Sequence, residues 1–353
     1  MRLVTLIPGD GIGKEVIPAA RQVLEAVLPG ARYETADAGW DCFLRCGTSL
    51  PDASLQAVAT ADATLFGATQ SPSEDVDGYF SPILALRRRL DLYCNLRPVT
   101  TLGANAPSVD LLIVRENTEG LYSGRERSDG STAIAERVVT RRASERIARC
   151  AFSHARQRAF SRTGAPRAVK VTIIHKANVL KLSDGLFRET CLEVASDYPD
   201  VGAEEMLIDT AAMQLVRAPE SFDVLVTTNL YGDILSDLAA GLVGGLGVAP
   251  SANLGDGLPA IFEPVHGSAP DIAGRGIANP VGAILSAAML LQHLGEDAGA
   301  RRVRLAVAKT VTAGIVTPDM GGSAETVDVV GAVLARLQDT RKQGLQTGGG
   351  FEA

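Results

Sequence analysis

Along the chain, short apolar runs alternate with longer stretches in which apolar positions recur every three or four residues. Leu3 to Ile7, Ala63 to Gly67, Asp110 to Val114, Val169 to Ile174 and Phe222 to Thr227 are short and bounded by turn residues, so they predict buried strands. Between the first two, Lys14 to Val27 places Val16, Ile17, Ala20, Val23, Leu24 and Val27 on one helical face. Strands alternating with amphipathic helices predict an α/β protein.

Leu121 to Arg141 breaks this alternation. It is rich in Ser, Gly, Arg, Glu and β-branched residues, without helical periodicity, and suits either a surface loop or an exposed hairpin arm. The tail from Arg341, with Gly348-Gly349-Gly350, predicts disorder. No internal repeat is present.

Composition narrows the class. The 353 residues are 46% hydrophobic and 21% charged with a net charge of -7, the balance of a folded protein with its own core. A negative field disfavours nucleic acid as a partner. No apolar run reaches bilayer length and no signal peptide is predicted, which points to the cytoplasm. Cys42, Cys46, Cys94, Cys150 and Cys191 form no CxxC pair and are odd in number, so neither zinc nor a disulfide framework is expected.

Four clusters could carry chemistry. The loop Pro8-Gly9-Asp10-Gly11-Ile12-Gly13 lies between a strand and a helix, where glycines permit close backbone approach and a helix start favours anions. Lys14 stands where GxGxxG needs its third Gly, so a standard Rossmann site is not supported, and the loop alone also suits a tight turn. Arg87, Arg97 and Arg115 offer forked guanidinium groups that match carboxylates; their neighbours Arg88 and Arg89 suit a solvated surface. Asp233 and Asp237 are four apart in Gly232 to Leu238, which predicts a helix start, so both carboxylates share a face. With Asp209, expected at the end of a strand, they suit Mg²⁺ or Mn²⁺; equally, the pair could only favour a helix N-terminus. Finally, Glu263 to Gly274 suits a ligand-wrapping loop or a loop merely pinned by prolines, and Asp271 there could accept the two hydroxyls of a ribose.

The segments IPGDGIGKEV from Ile7, LRPV from Leu96, VRENTEGLYSG from Val114, HKANVLK from His175, DTAAMQLV from Asp209, TTNLYGDILSDLAAGLVGGLG from Thr227 and EPVHGSAPDIAGRGIANP from Glu263 resemble the isocitrate/isopropylmalate dehydrogenase family over nearly the whole chain. The resemblance implies a two-domain α/β fold around a large mixed sheet, unlike the Rossmann fold. Residues 1–98 and 252–353 would form a large NAD-binding domain, and 99–251 a small one whose arm, about 121–141, clasps a second subunit. It implies a homodimer, or a tetramer of such dimers, with shared active sites. Arg87, Arg97 and Arg115 would clamp two substrate carboxylates, and Asp233 and Asp237 would hold Mg²⁺ or Mn²⁺ with Asp209 from the other subunit. Lys176, directly or through a relay, would be the base, with Asn178 beside the substrate, and Tyr122 would protonate the decarboxylated product. NAD is implied over NADP by Asp271, with Ile12, Thr69, His266, Gly267, Ser268, Ala269, Ile272 and Asn279 around it.

The wording of Tyr79 to Arg87, with SPILALRR from Ser81, resembles homoisocitrate enzymes, and Ser71 or Ser81 is expected to meet the distal carboxylate. Isocitrate is expected as a second substrate. Isocitrate or 3-isopropylmalate as the main substrate, a non-decarboxylating oxidoreductase, and an inactive regulatory subunit are the alternatives. The last would lose acid, base or metal positions that this chain retains.

Overall fold

The computed structural model describes residues 1–347 apart from 75, 104–107 and 162–168. The chain begins with strand β1 (Leu3–Gly9), helix α1 (Gly13–Val27), β2 (Arg32–Thr35), α2 (Trp40–Cys46), α3 (Asp52–Thr60), β3 (Ala63–Ala68), α4 (Pro82–Arg89), β4 (Cys94–Thr100) and β5 (Asp110–Glu116). It continues through β6 (Glu126–Ser128), β7 (Ala133–Ala135), α5 (Arg141–Ser161), β8 (Lys170–His175), α6 (Ser183–Ala195), β9 (Gly202–Leu207), α7 (Ile208–Arg217) and β10 (Val224–Thr227). The last part holds α8 (Asn229–Val243), β11 (Pro250–Gly255), β12 (Gly257–Pro264), α9 (Val281–His293), α10 (Asp297–Thr312) and α11 (Thr326–Thr347).

The strands form one ten-stranded mixed sheet in the order β2-β1-β3-β12-β11-β4-β5-β10-β8-β9. Its two flanks are parallel, as helical crossovers require, whereas β12, β11, β4 and β5 run antiparallel through the middle. Boundaries at 98 and 252 fall inside β4 and β11, so the sheet is continuous across them. The turn between β11 and β12 uses Gly257 at φ +105°, a conformation closed to most side chains. The buried strands β3 and β10 are mostly apolar, with one threonine each, whereas β9 at the edge carries Glu204 and Glu205. α9 is buried along most of its length because it packs on α1, α10, β11 and β12 at once.

The segment after Leu121 is an exposed hairpin of β6 and β7, and α5 begins at Arg141. The expected disorder from Arg341 gives way to helix, since α11 continues to Thr347; Gly348-Gly349-Gly350 lie outside the described residues. Among the described residues no helix is long and apolar enough to cross a membrane.

Candidate active site

Asn95 of β4 lies opposite Arg115 of β5, α8 packs against both strands, and α4 delivers Arg87 to the same place. All three arginines are buried. Arg115 donates through Nε (3.0 Å) and Nη2 (2.7 Å) to Asn229 Oδ1 and through Nη1 to Asp233. Arg97 sits inside β4; it donates to Asn95 Oδ1 (2.7 Å) and Ser236 Oγ (2.6 Å) and pairs with Asp233 at 3.2 Å and Asp237 at 3.3 Å. Arg87 pairs with Glu263 at 2.7 Å, while its Nε is buried without a partner among the described residues. Burial and the neighbouring Arg97 lower the Arg115 guanidinium to about 10, against the opposing pull of Asp233. Each of these cations is held where an anion would relieve its desolvation.

α8 begins at Asn229, earlier than Gly232, so Asp233 and Asp237 lie beyond its first turn and do not serve as N-terminal charges. Asp233 accepts from Arg97, Arg115 and, on Oδ2, the Tyr122 hydroxyl. Burial opposes ionisation of Asp233, but Arg115 and Arg97 overcome it and hold the carboxyl below its usual range. Asp237 is raised by burial. The Tyr122 phenol is raised by burial and then by Asp233, and its ring lies 5.1 Å beneath the Arg115 guanidinium. A proton is therefore held on Tyr122, beside the clamp.

Lys176 and Asp209 meet separately. Lys176 Nζ donates to Asp209 Oδ1 at 2.7 Å, and Asp209 is in the first turn of α7 rather than at a strand end. Asn178 is exposed in the turn between Lys176 and α6. No three His, Cys, Asp or Glu side chains gather into a metal-binding set among the described residues, so one chain does not bring Asp209 to Asp233 and Asp237. Val179 and Leu182 close after Lys176, Met213 and Val216 on α7 with Asp209, and Ile234 next to Asp233 are all exposed.

The glycine loop is tied to the Glu263 to Gly274 loop. Ile12 N–H donates to Ser268 O at 2.8 Å, and Gly274 N–H donates to Glu15 Oε1 at 2.6 Å. A side chain at Gly11, whose φ is +53°, would strike Ser268 O. Asp10 fixes the loop by accepting N–H bonds from Trp40, Asp41 and Gln70. Thr69, His266 and Gly267 line a cleft of about 170 Å³ together with Arg87, Arg97 and Glu263. His266 Nε2 is buried there without a partner among the described residues, and Ala269 holds a left-handed φ of +38°. Asp271 is exposed and Ile272 half-buried, whereas the Asn279 amide is engaged by Asp319 and the Val281 N–H.

Ser81, with Phe80, Leu84 and Arg88, lines a second cleft; Ser71 is exposed beside the Tyr79 hydroxyl. Arg88 is solvent-exposed as expected, yet also donates to the Tyr122 carbonyl.

The family model for isocitrate/isopropylmalate dehydrogenase matches residues 3–333. An isocitrate/homoisocitrate dehydrogenase of Thermus thermophilus is 55% identical over 95% of this chain and 98% of its own length. A 3-isopropylmalate dehydrogenase of Methanothermobacter thermautotrophicus is 47% identical, over 95% of this chain and 98% of its own. The chain belongs to the isocitrate/isopropylmalate dehydrogenase family. Its fold also matches the crystal structure of isocitrate dehydrogenase from Methylococcus capsulatus, at TM-score 0.89 and 45% identity over 96% of this chain and 100% of that one. This family comprises decarboxylating hydroxy-acid dehydrogenases that use NAD or NADP and a divalent metal.

The residues fit both groups that the isocitrate/isopropylmalate dehydrogenase family uses. Asp233 and Asp237 offer hard oxygen donors one turn apart, and in the cleft lined by Thr69 and Gly267 the His266 Nε2, without a partner among the described residues, offers a polar group to a dinucleotide. Sequence reasoning missed Asn95, Asn229, Asn253 and Ser236, which orient the arginines. Asn253 donates to Glu263 Oε1 at 2.8 Å and accepts from Asn95 at 3.1 Å, which links Arg87 to Arg97 through a buried polar chain. Thr227 to Gly247 already contained Asn229 and Ser236, but amides and hydroxyls carry no pattern until their partners are known.

Proposed function

We propose that this chain is an NAD-dependent homoisocitrate dehydrogenase that requires Mg²⁺ or Mn²⁺ and yields 2-oxoadipate and CO₂, as in lysine biosynthesis by the 2-aminoadipate route. Isocitrate is a second substrate. The observation that carries the reading is Ser81, the N-cap of the helix that delivers Arg87, which lines the second cleft and offers a hydroxyl to a distal carboxylate. The name borne by the Thermus thermophilus relative supports the same substrates.

Arg87, Arg97 and Arg115 bind the two carboxylates shared by such substrates, and the unpartnered Arg87 Nε is one donor ready for them. These three arginines are balanced by Glu263, Asp233 and Asp237, so a bound divalent cation leaves the site positive and suited to a polyanion. Asp233 and Asp237, with Asp209 of a second copy, would hold the cation, which would supply polarisation of the substrate hydroxyl, and the Ile12 and His266 loops would hold NAD, which would supply the hydride acceptor. Asp271 favours the ribose hydroxyls over a 2′-phosphate. Lys176, joined to Asp209, takes the hydroxyl proton, Asn178 contacts the substrate, and Ser71 or Ser81 meets the distal carboxylate. After CO₂ leaves, Tyr122 delivers a proton to the product carbon.

Lys176 and Asp209 serve the site of a second copy, and the apolar side chains exposed around them support a homodimer closed by the β6–β7 arm. The protein acts in the cytoplasm. Residues 1–98 with 252–353, and residues 99–251, are its two domains.

The test is steady-state kinetics with homoisocitrate, isocitrate and 3-isopropylmalate, NAD and Mg²⁺, with CO₂ measured alongside NADH. Homoisocitrate is expected to give the highest kcat/KM. The apolar Ile83 and Leu84 favour 3-isopropylmalate as the second reading, and a highest value for it would replace the proposal. NADH without CO₂ would exclude decarboxylation altogether.

A further inference from the structure

Cys94 and Cys150 are 56 positions apart in sequence, yet their sulfurs lie 2.8 Å apart. Cys94 is buried in β4, and Cys150, on α5, is only partly buried. Both are free thiols, and the site described above uses neither. Alternation along β4 places Cys94 on the face opposite Asn95 and Arg97, so this pair sits behind the substrate clamp rather than in it.

We propose that Cys94 and Cys150 form an oxidisable dithiol, with Cys150 attacking a hydroperoxide and Cys94 closing a disulfide onto it. The Cys150 sulfur attacks one peroxide oxygen and the O–O bond breaks, which leaves Cys150 as a sulfenic acid while the other oxygen departs with a proton. Cys94 then attacks the Cys150 sulfur. The S–S bond forms, the S–O bond breaks, and the oxygen leaves as water with the Cys94 proton. Two thiols are oxidised and one peroxide is reduced to two hydroxyl products.

Three observations assign the order of attack. Cys150 is the less buried residue of the two, while Cys94 is fully enclosed in β4. The hydrogen bond from Cys94, against the opposing effect of burial and with help from His154 one turn further along α5, brings the Cys150 thiol down to about 6. Burial pushes Cys94 up, so it keeps its proton until Cys150 has reacted. Of the other cysteines, Cys42 is raised to about 11 by burial and Cys191 is raised by burial alone, so neither supplies a thiolate; Cys46 is exposed and serves as the internal comparison.

The test treats the full-length reduced protein with one equivalent of hydrogen peroxide, blocks remaining thiols, and maps peptides without reduction. The expected result is a fall from five free thiols to three, a Cys94–Cys150 cross-linked peptide, and recovery of all five with dithiothreitol. In Cys94→Ser, dimedone should instead trap a sulfenic acid on Cys150. Oxidation confined to Cys46, or a cross-link that excludes Cys94 and Cys150, overturns the proposal. The wild-type peptide map decides the matter even if Cys94→Ser does not fold.

Discussion

Arg137 and Asp184 face each other at 2.7 Å at the root of the hairpin, an ion pair in which the carboxylate is wholly buried and the arginine largely so. The other Asp184 oxygen accepts the Lys176 N–H at 2.6 Å. Arg137 also donates to Thr228 Oγ1 and to the Tyr231 hydroxyl, both next to or on α8. One guanidinium thus braces the Lys176 turn against the helix that carries Asp233.

Removing that brace strands a buried charge. Arg137→Ala is expected to lower stability by about 3–5 kcal/mol, because the uncompensated carboxylate stays buried. Denaturant unfolding at fixed protein concentration measures this, and a loss below about 0.5 kcal/mol, as for an exposed pair, would show the ion pair to be incidental.

The Gly11 contact predicts a selective defect. Gly11→Ala puts a methyl group 2.0 Å from Ser268 O and forces the two loops apart. The KM for NAD should rise about tenfold, equivalent to about 1.4 kcal/mol, with much less change in substrate KM. Equal rises in both would place the damage outside the cofactor loops.

Lys176→Met leaves the NAD loops untouched and removes the group paired with Asp209. Turnover should fall by at least about 10²-fold, the lower range for loss of a general base, while NAD titrates the variant with unchanged affinity. Full turnover would remove Lys176 from the chemistry.

Burial lowers the pKa of His175, His266 and His293 beneath the ordinary 6.5. The unfolded chain therefore binds more protons than the folded one between the folded values and 6.5. Their contribution to stability is complete above 6.5 and is lost as pH falls through the folded values. The urea midpoint should be lower at pH 5.5 than at pH 7.5, and His175→Gln should narrow the gap. A midpoint independent of pH over this window would contradict the assignment.

Much of the fold was legible where apolar periodicity was strong. The stripe from Val16 to Val27 located α1 to within one residue, and Ala63 to Gly67 located β3 equally well. β9 was not legible because Glu204 and Glu205 give an edge strand no apolar face. α8 starts earlier than expected although Thr228, a favoured N-cap type, stands just before it. The arginines and the Asp233–Asp237 pair were visible from residue type and spacing. The Asn95–Asn253–Glu263 chain and the Cys94–Cys150 contact were not, since tertiary packing alone brings such distant positions together.

Within one chain, Lys176 and Asp209 lie apart from the Asp233–Asp237 set. In the proposed dimer this separation makes the two lesions complementary. A Lys176→Met subunit paired with an Asp233→Asn subunit carries both defects in one site and none in the other. Mixing the two inactive proteins under conditions of subunit exchange should restore about a quarter of wild-type turnover, because half of random dimers are hybrids with one intact site each. Two dead preparations would then make a live one, and the recovered fraction would count how often unlike chains have met.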